Sequence, residues 1–578
     1  MAGPTAPKDP EKARPFFYIL KDKDIFGERQ KDGTGIQFIY ESDGRLINSA
    51  QITGNVTDKE ELRLLETVEG FGRLVHSIGV SVETDRPEET AEFVFQMYGK
   101  KDLYGGGTNL TTSLKCDGME HRIYLSDYRW TEDDHVPGQI KILFAAPERM
   151  GKVSVRLFLN DGYEAPPEEE DLVIDMHSEE YCGMISRSLL QLGNPYRIRK
   201  AIEKSKAGKE VTLAYIGGSI TQGAGAIPIH TECYAYKSFQ LFQNRFSTQN
   251  NVRFIKAGVG GTPSELGMIR FDRDVLREGE RPDIVVIEFA VNDEGDETKG
   301  VCYESLVRKV LKLPWKPAVV LLFSVFANDW NLQERLRPVG DLYDLPMVSI
   351  RDAVTPQFSL KCGEGRILSK NQFFYDIFHP NNTGHTIMAD CLQYLFERCD
   401  AAEPARVGTF VEGMTEEQIL SEKLSGPAVI GADFERIFLL DKKNRYVGAK
   451  IRAGSFTSTD IELQSVEMDG NLTQTPEFPY NWMYDGSRPQ MPGFEMEITC
   501  KSLFLIFKDS GEMDVGKANV FVNDVYCMTA DPHKNNWLHC NAVLLFWETE
   551  SRSHKVRIAV TEEDRNKKFT ILGFGYTI

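Results

Sequence analysis

The alternation of apolar and polar residues divides the chain into three zones. In residues 15–180, short runs alternate between the two kinds, as in 152–159 (KVSVRLFL), and turn residues separate them. The same pattern returns in residues 426–578, for example in 555–560 (KVRIAV). Such alternation is typical of strands with one buried and one solvated face. We therefore expect a β-sandwich in each of these zones, the N-terminal one jelly-roll-like and the C-terminal one suited to carbohydrate binding.

The middle zone, residues 185–405, has a different pattern. Continuous apolar runs suited to strands buried on both faces alternate with segments of helical period, such as 303–313. This order predicts an α/β fold with a parallel sheet covered by helices on both sides. The buried runs are 211–216 (VTLAYI), 283–290 (DIVVIEFA) and 318–325 (AVVLLFSV).

Length and composition agree with a chain of several domains. Of the 578 residues, 41% are hydrophobic and 26% are charged, a balance found in globular proteins with large cores. Residues 1–14 are polar and contain prolines, and we predict that they are disordered. Residues 406–425 are predicted to link the middle and C-terminal zones, with a short helix or linker at 415–424.

Charge and hydropathy narrow the possible partners. The formal net charge of −19 argues against nucleic acid, because a phosphate backbone requires a basic surface. The longest apolar runs, such as 318–325, fall far short of the roughly 20 residues of a membrane-spanning helix. The N-terminus has no apolar segment of the signal-peptide kind, so we expect a cytoplasmic protein.

The ten cysteines are scattered at irregular spacing, and no two of them form a CxxC pair. Neighbouring histidines do not complete a zinc-binding pattern. We interpret the cysteines as mostly buried free thiols in a reducing compartment, and we predict no metal site.

The candidate chemistry lies where the predicted strands of the middle zone end. Ser219 follows two glycines after the first strand, so its hydroxyl can lie exposed at the sheet edge where doubly wound folds bind ligands. Gly261, after the second strand, can bring a backbone N–H close to a ligand. Asn292, after the third, can donate a hydrogen bond from its side chain to a developing oxyanion.

A fourth segment carries an acid and a base three residues apart, Asp376 and His379. Pro380 favours an extended backbone at His379, and a helix is predicted to follow, with Asn382 or Thr383 as its cap. In this arrangement His379 can take the proton of Ser219 while Asp376 holds the imidazole in the required tautomer.

These four segments, taken in order, resemble the conserved blocks of the SGNH or GDSL-type hydrolase superfamily. The resemblance covers about 185–400 and implies a flavodoxin-like domain with Ser219 as nucleophile, His379 as base and Asp376 as its partner. It also implies that Gly261 and Asn292 are oxyanion donors and that no cofactor is needed. The sequence departs from the usual pattern at Gly218, where an aspartate is common, and at Ala290, where a glycine is common.

The two flanking zones are the main indication of the substrate. Large chains with β-sandwich appendages resemble the carbohydrate esterases of the superfamily, which implies removal of O-acetyl groups from xylan- or mannan-type oligosaccharides by an acyl-enzyme mechanism. Several aromatic residues could stack on sugars or fill the sandwich cores: Tyr128, Trp130, Tyr480, Trp482, Tyr484 and Trp537. Four further side chains could line the cleft or serve packing: His230, Glu232, Tyr234 and Arg270.

Two other functions are compatible with the sequence. The chain could be a lipase or short-chain carboxylesterase of the same superfamily, or a carbohydrate-binding scaffold without catalysis. An α/β-hydrolase elbow does not fit, because Thr221 stands where its final glycine is needed. The expected partner is a small acetylated oligosaccharide, and both a monomer and a homodimer are compatible with the sequence.

Overall fold

The computed structural model describes residues 13–578 except 41–44, 55, 57, 102–104, 169, 403–413, 472 and 489–491. Most of the predicted disordered N-terminus and much of the predicted linker therefore lie outside the described residues. Within the described residues, no helix has the length and apolar character needed to cross a bilayer.

The N-terminal region folds into two antiparallel sheets with strand orders β1-β9-β4-β7 and β2-β3-β8-β5-β6. Alternate side chains of both sheets meet in one hydrophobic core. Its strands are β1 (Phe16–Phe26), β2 (Glu28–Arg29), β3 (Gly35–Tyr40), β4 (Val75–Thr84), β5 (Thr90–Gly99), β6 (Asn109–Lys115), β7 (His121–Tyr124), β8 (Asp134–Phe144) and β9 (Met150–Leu159). Its helices are α1 (Arg45–Gly54), α2 (Lys59–Arg63) and α3 (Val68–Leu74).

The middle region is an α/β domain, as its buried apolar runs predict. Its strands are β10 (Leu189–Gln191), β11 (Val211–Gly217), β12 (Val252–Gly258), β13 (Ile284–Glu288), β14 (Ala318–Phe323) and β15 (Met347–Ser349). The sheet order is β10-β15-β14-β13-β11-β12, and all pairs are parallel except β10 with β15. The five parallel strands thus follow the flavodoxin-like order 2-1-3-4-5, whose switch point lies beside β11.

Helices cover both faces of this sheet and complete two large cores. They are α4 (Glu179–Ser186), α5 (Tyr196–Lys206), α6 (Ser219–Gln222), α7 (Ile229–Glu232), α8 (Tyr234–Phe246), α9 (Ser264–Phe271), α10 (Val301–Leu311), α11 (Gln333–Tyr343), α12 (Ile350–Phe358), α13 (Lys370–Phe373) and α14 (Asn382–Ala401). Helix α4 lies across the expected boundary between the first two zones, and its Tyr181 and Met184 pack into the middle core. We call α4 to α14 the middle domain.

The C-terminal region is rich in strands, as predicted, but most of them join one eight-stranded sheet instead of two separate ones. Register irregularities near Cys500 and Leu503 interrupt the pairing of its two longest strands, and such bulges let a strand bend. After α15 (Glu416–Ser425), the strands are β16 (Ile437–Leu440), β17 (Ala449–Arg452), β18 (Ser465–Glu467), β19 (Gln474–Pro476), β20 (Trp482–Tyr484), β21 (Phe494–Asp509), β22 (Ala518–Val522), β23 (Val525–Ala530), β24 (His539–Val560) and β25 (Phe569–Thr577).

The two faces of the C-terminal sheet have different partners. Leu503 and Leu505 of β21 lie in a core made of C-terminal side chains. Phe504 and Ile506, which alternate with them, belong to the core beneath the middle domain. This alternation follows from the period of two in a strand, and it fixes the C-terminal sheet against the middle domain.

Candidate active site

Ser219 lies at the carboxyl end of the central strand β11, directly after Gly218 and at the first position of helix α6. Strand β11 pairs with β12 on one side and with β13 on the other. The residues that follow these two strands therefore flank Ser219. At the first turn of a helix the backbone N–H groups have no partner within the helix, so the Ser219 N–H is available to a ligand.

His379 and Asp376 occupy the loop before α14 and complete a hydrogen-bonded series with Ser219. His379 Nε2 lies 3.0 Å from Ser219 Oγ. His379 Nδ1 lies 2.9 Å from Asp376 Oδ2 and 3.0 Å from Oδ1. With the Nδ1 proton donated to Asp376, Nε2 is left as an acceptor for the serine proton. The three residues that the sequence singles out are thus brought together.

The loop that carries His379 is held by its own backbone. Asp376 Oδ1 accepts hydrogen bonds from the backbone N–H groups of Phe378 and His379, at 2.7 and 2.8 Å. This local turn fixes the carboxylate relative to the imidazole. The helix that follows is capped by Asn381, whose side chain accepts from the Gly384 N–H, and not by Asn382 or Thr383 as predicted. The helix therefore begins one residue earlier than a cap at Asn382 would allow.

The N-terminal region also supports this loop. Lys23 of β1 is 3% exposed, and its ammonium group donates to the carbonyl oxygen of Phe374 and to that of Asn371. Phe374 in turn forms a β-bridge with Pro380, next to His379. A buried cation from the first region therefore holds the backbone next to the candidate base.

Gly261 and Asn292 lie on either side of Ser219, as the order of the strands requires. The Gly260 N–H donates to Gln222 Oε1 at 2.8 Å, whereas the Gly261 N–H has no acceptor among the described residues. The Oδ1 atom of Asn292 is buried and also lacks a hydrogen-bond partner in the described part of the chain. The Gly261 N–H and the Asn292 Nδ2 amide are the candidate donors to an oxyanion on Ser219, because the Oδ1 atom of Asn292 can only accept hydrogen bonds.

A network of buried polar groups lies beneath the site. Thr221 Oγ1 donates to Glu288 Oε2 at 3.1 Å and shares a hydrogen bond of 2.8 Å with the hydroxyl of Tyr234. Burial raises the pKa of Glu288 to about 7. Burial lowers the pKa of His385 to about 3, in keeping with a neutral ring that accepts from the Tyr234 N–H and donates to the Ala224 carbonyl.

The carboxyl group after Asn292 is buried as well. Burial, reinforced by nearby Asp296, raises the pKa of Asp293 to about 8. Its Oδ1 accepts from the Ser264 N–H at 2.7 Å, while Oδ2 is buried without a partner among the described residues. A protonated Asp293 therefore ties the loop after β13 to the start of α9.

Of the four side chains left open by the sequence, two serve packing. Tyr234 and Arg270 are fully buried. The Arg270 guanidinium donates to the carbonyls of Gly217 and Ala257, at 2.8 and 2.7 Å. It therefore holds the ends of β11 and β12, which precede Ser219 and Gly261. Glu232 pairs with Lys237 at 2.7 Å, and His230 is half-buried.

The aromatic residues that the sequence left open also divide into buried core residues and exposed ones. Trp130, Trp482 and Tyr484 are buried in the cores of the flanking regions, and Tyr128 packs against the first of these cores. Tyr480 is exposed and contacts Lys443. Trp537 lies at the site, because a Cβ built on Gly261 would lie 2.7 Å from its Cζ2.

Several residues around the candidate site are not among those that the sequence indicates. Gln222 binds the Gly260 N–H, and Gln464 and His539 of the C-terminal region bind the carbonyls of Gly260 and Gly261. On the other side, Phe378 contacts the ring of His379, and a pair of stacked rings adjoins it: Phe326 and Trp330. No local motif marks these residues.

Within the described residues, no cluster of three or more metal-ligating side chains is found.

The comparisons with known proteins agree with the topology of the middle domain. Residues 215–387 match the model of the GDSL-like lipase/acylhydrolase family. Among curated proteins, none matches the chain. The solved structures that match include a two-domain esterase active on acetylated mannans, alone and co-crystallised with mannopentaose. Both are 23% identical over 68% of this chain and 98% of theirs, with TM-scores of 0.54 and 0.53, a likeness of fold.

Proposed function

The chain is a carboxylic ester hydrolase that carries a GDSL-like lipase/acylhydrolase domain, and we propose that it removes O-acetyl groups from mannan- or xylan-type oligosaccharides. The observation that carries this proposal is the hydrogen-bonded series from Ser219 Oγ through the His379 ring to Asp376. A serine hydroxyl, a neutral imidazole and a carboxylate in this order form the acyl-transfer machinery of serine hydrolases.

The first half of the reaction transfers the acetyl group to the enzyme. His379 Nε2 takes the hydroxyl proton as Ser219 Oγ bonds to the ester carbonyl carbon, and the carbonyl π electrons move onto its oxygen. The N–H groups of Ser219 and Gly261 and the amide of Asn292 stabilise this oxyanion. When the tetrahedral species collapses, the bond to the sugar oxygen breaks and His379 returns its proton to that oxygen.

The second half releases acetate. Water loses a proton to His379 Nε2 and attacks the acetyl-serine carbonyl, and the same donors stabilise the second oxyanion. The bond to Ser219 Oγ then breaks and the proton returns to that oxygen, which restores the free enzyme. Asp376 stabilises the imidazolium in both halves without itself taking a proton.

Aromatic rings on both sides of the candidate site support a sugar as the alcohol part of the ester. Trp537 is 45% exposed and lies against Gly261. On the other side, Phe378 adjoins His379, and Phe326 and the half-buried Trp330 stack with a centroid separation of 5.7 Å. Flat apolar faces with a polar edge suit the C–H faces of a sugar ring. The matched esterase acts on acetylated mannans and was co-crystallised with a manno-oligosaccharide, so mannan-type substrates are the first to test.

The test is release of acetate from acetylated manno- and xylo-oligosaccharides, followed by NMR, with a nitrophenyl ester series alongside. We expect the oligosaccharides to lose acetyl groups and acetate to be preferred over octanoate among the nitrophenyl esters. Ser219→Ala should abolish both activities and also the covalent labelling of the wild-type enzyme by a fluorophosphonate. Hydrolysis of nitrophenyl octanoate without deacetylation of any oligosaccharide would overturn the proposal in favour of a lipase. Absence of labelling and of all ester hydrolysis would favour a binding scaffold.

A further inference from the structure

The peptide group between Gly260 and Gly261 is held by a hydrogen bond from the C-terminal region, which we call the C-terminal domain. Its carbonyl oxygen, on Gly260, accepts a hydrogen bond of 2.9 Å from Gln464 Nε2. A trans peptide is planar, and its C=O and N–H bonds point in opposite directions. The contact with Gln464 therefore sets the direction of the Gly261 N–H, the backbone donor at the candidate oxyanion site.

Gln464 is itself fixed before any substrate binds. It is 8% exposed, and its Oε1 accepts from the backbone N–H of Cys540 at 2.9 Å. Its own carbonyl oxygen accepts from the Glu477 N–H at 2.8 Å. These bonds place the carboxamide so that its Nε2 serves the loop after β12.

The next peptide group is held by a second histidine. His539 Nε2 lies 3.1 Å from the carbonyl oxygen of Gly261, and His539 Nδ1 lies 3.0 Å from Asp509 Oδ2. Asp509 is fully buried and also accepts from the side-chain amides of Asn535 and Asn541, at 2.5 and 3.3 Å. The ring of His539 thus links the buried Asp509 carboxylate to the backbone of the loop after β12, which carries Gly261.

Gly261 adopts a backbone conformation that its close approach to Trp537 and His539 requires. Its φ angle is +72°, and a Cβ there would lie 2.7 Å from Trp537 and 3.0 Å from His539 Nε2. A side chain at this position is therefore both strained and obstructed. The loop can approach the C-terminal domain this closely only because residue 261 is glycine.

We propose that Gln464 and His539 are positioning residues for the oxyanion donor, so that the C-terminal domain completes the catalytic site of the middle domain. This inference rests on acyl transfer at Ser219, as proposed above. Donors that are already oriented when charge develops avoid reorganisation at the moment of reaction. A carbonyl that accepts a hydrogen bond also polarises its peptide, which strengthens the N–H on the same group.

The primary test is Gln464→Glu, assayed on an aryl acetate that does not need a sugar subsite. Glutamate keeps the size of the side chain and an acceptor for the Cys540 N–H, but it cannot donate to the Gly260 carbonyl. We expect kcat to fall about 10- to 100-fold, up to the lower end of the range for loss of an oxyanion donor. KM should change by less than about twofold, because the oxyanion develops only in the transition state.

The second test compares two buried histidines of strand β24. His539→Asn removes the contact with Gly261, whereas His554→Asn changes a ring that contacts Asn523 and Phe546 and does not touch the loop. We expect His539→Asn to lower kcat at least about tenfold more than His554→Asn. Thermal unfolding midpoints of both variants show how much stability each one loses.

Equal kcat values for the two histidine variants, or a Gln464→Glu variant that changes KM alone, would overturn the inference. Misfolding of both Gln464→Glu and His539→Asn, with His554→Asn folded, would also count against it, since the contacts would then serve stability alone. Failure of the proposed function gives a different result, because Ser219→Ala would then retain aryl acetate hydrolysis. Loss of activity in Ser219→Ala with normal kcat in the Gln464 and His539 variants would overturn only the positioning roles.

Discussion

The side-chain amide of Asn292 lies directly against the α-carbon of Gly218. A Cβ added at Gly218 would lie 2.2 Å from Asn292 Oδ1 and 2.6 Å from Nδ2. Distances under 3.0 Å do not occur between such atoms without a shift of one of them. The glycine at this position therefore lets Asn292 approach the strand end before Ser219.

This contact predicts the effect of the smallest substitution. Gly218→Ala should displace the Asn292 amide and reduce kcat on an aryl acetate by about tenfold or more, since Asn292 is a candidate oxyanion donor. Gly183→Ala is the matched control, because a Cβ at Gly183 meets no atom within 4 Å. Both variants should be assayed with their unfolding midpoints. If Gly218→Ala keeps the same kcat as Gly183→Ala, the contact between residue 218 and Asn292 does not position an oxyanion donor.

Asp376→Asn tests the tautomer of His379. The carboxamide oxygen can still accept the hydrogen bonds that the backbone N–H groups of Phe378 and His379 donate to Asp376 Oδ1, so the loop should keep its conformation. The amide nitrogen, however, would donate to His379 Nδ1 and leave the ring proton on Nε2, where the base must be free. We expect kcat to fall about 10³- to 10⁴-fold. A variant within about tenfold of wild type would exclude Asp376 from this role.

Asp293→Asn tests a pH dependence of stability. Burial raises the pKa of Asp293 to about 8 in the folded chain, against about 4 in an unfolded one. The protonated side chain therefore contributes its full stability below about pH 4. As the pH rises from there towards 8, the unfolded state ionises first and the free energy of unfolding falls.

The carboxamide that replaces the Asp293 carboxyl cannot ionise, so the stability difference between wild type and variant should shift in favour of the variant between about pH 5 and pH 8. The expected shift is of the order of a few kcal/mol. Urea unfolding of both proteins across this range measures it. Parallel curves for the two proteins would mean that Asp293 is protonated to the same extent in the folded and unfolded states across this interval, so that folding does not raise its pKa.

Trp537→Ala separates sugar binding from chemistry. Because the indole lies against Gly261 and is half exposed, its removal should raise KM for acetylated oligosaccharides by about 10-fold or more, as expected for a lost stacking contact worth over about 1 kcal/mol. The same variant should change kcat/KM for a small aryl acetate much less. Tyr480→Ala, an equally exposed aromatic that contacts Lys443, is the control. Equal losses on both substrates would mean that Trp537 supports the loop instead of binding sugar.

Local sequence carries most of the information about the middle domain. Strands β11, β13 and β14 are continuous apolar runs because both of their faces are covered, and that pattern is visible without any structure. Ser219, Asp376 and His379 lie at element boundaries where glycine, proline and a following helix leave recognisable signals. The separation of three residues between Asp376 and His379 reflects a single hydrogen-bonded turn, so it is also a local property.

The supporting residues could not be found in this way, because they are distant in sequence. Gln464 and His539 contact Gly260 and Gly261 across more than 200 residues, and neither belongs to a motif. Register irregularities interrupt the pairing of β21 with β24, and most C-terminal strands join one sheet; a pattern of alternation reveals neither feature. Burial also decided the roles of the tryptophans, since Trp482 and Trp537 look alike in sequence.

The alternation of side chains along β21 has a consequence for how the protein can be divided. Since Phe504 and Ile506 complete a core whose other members include strands and helices of the middle domain, the two parts bury one continuous apolar surface. We therefore expect them to unfold as a single cooperative unit, since a fragment cut from residues 185–405 would expose the face that this sheet covers. The C-terminal appendage of this chain is therefore not an interchangeable module, and transplanting it to another catalytic domain would require transplanting the surface beneath it.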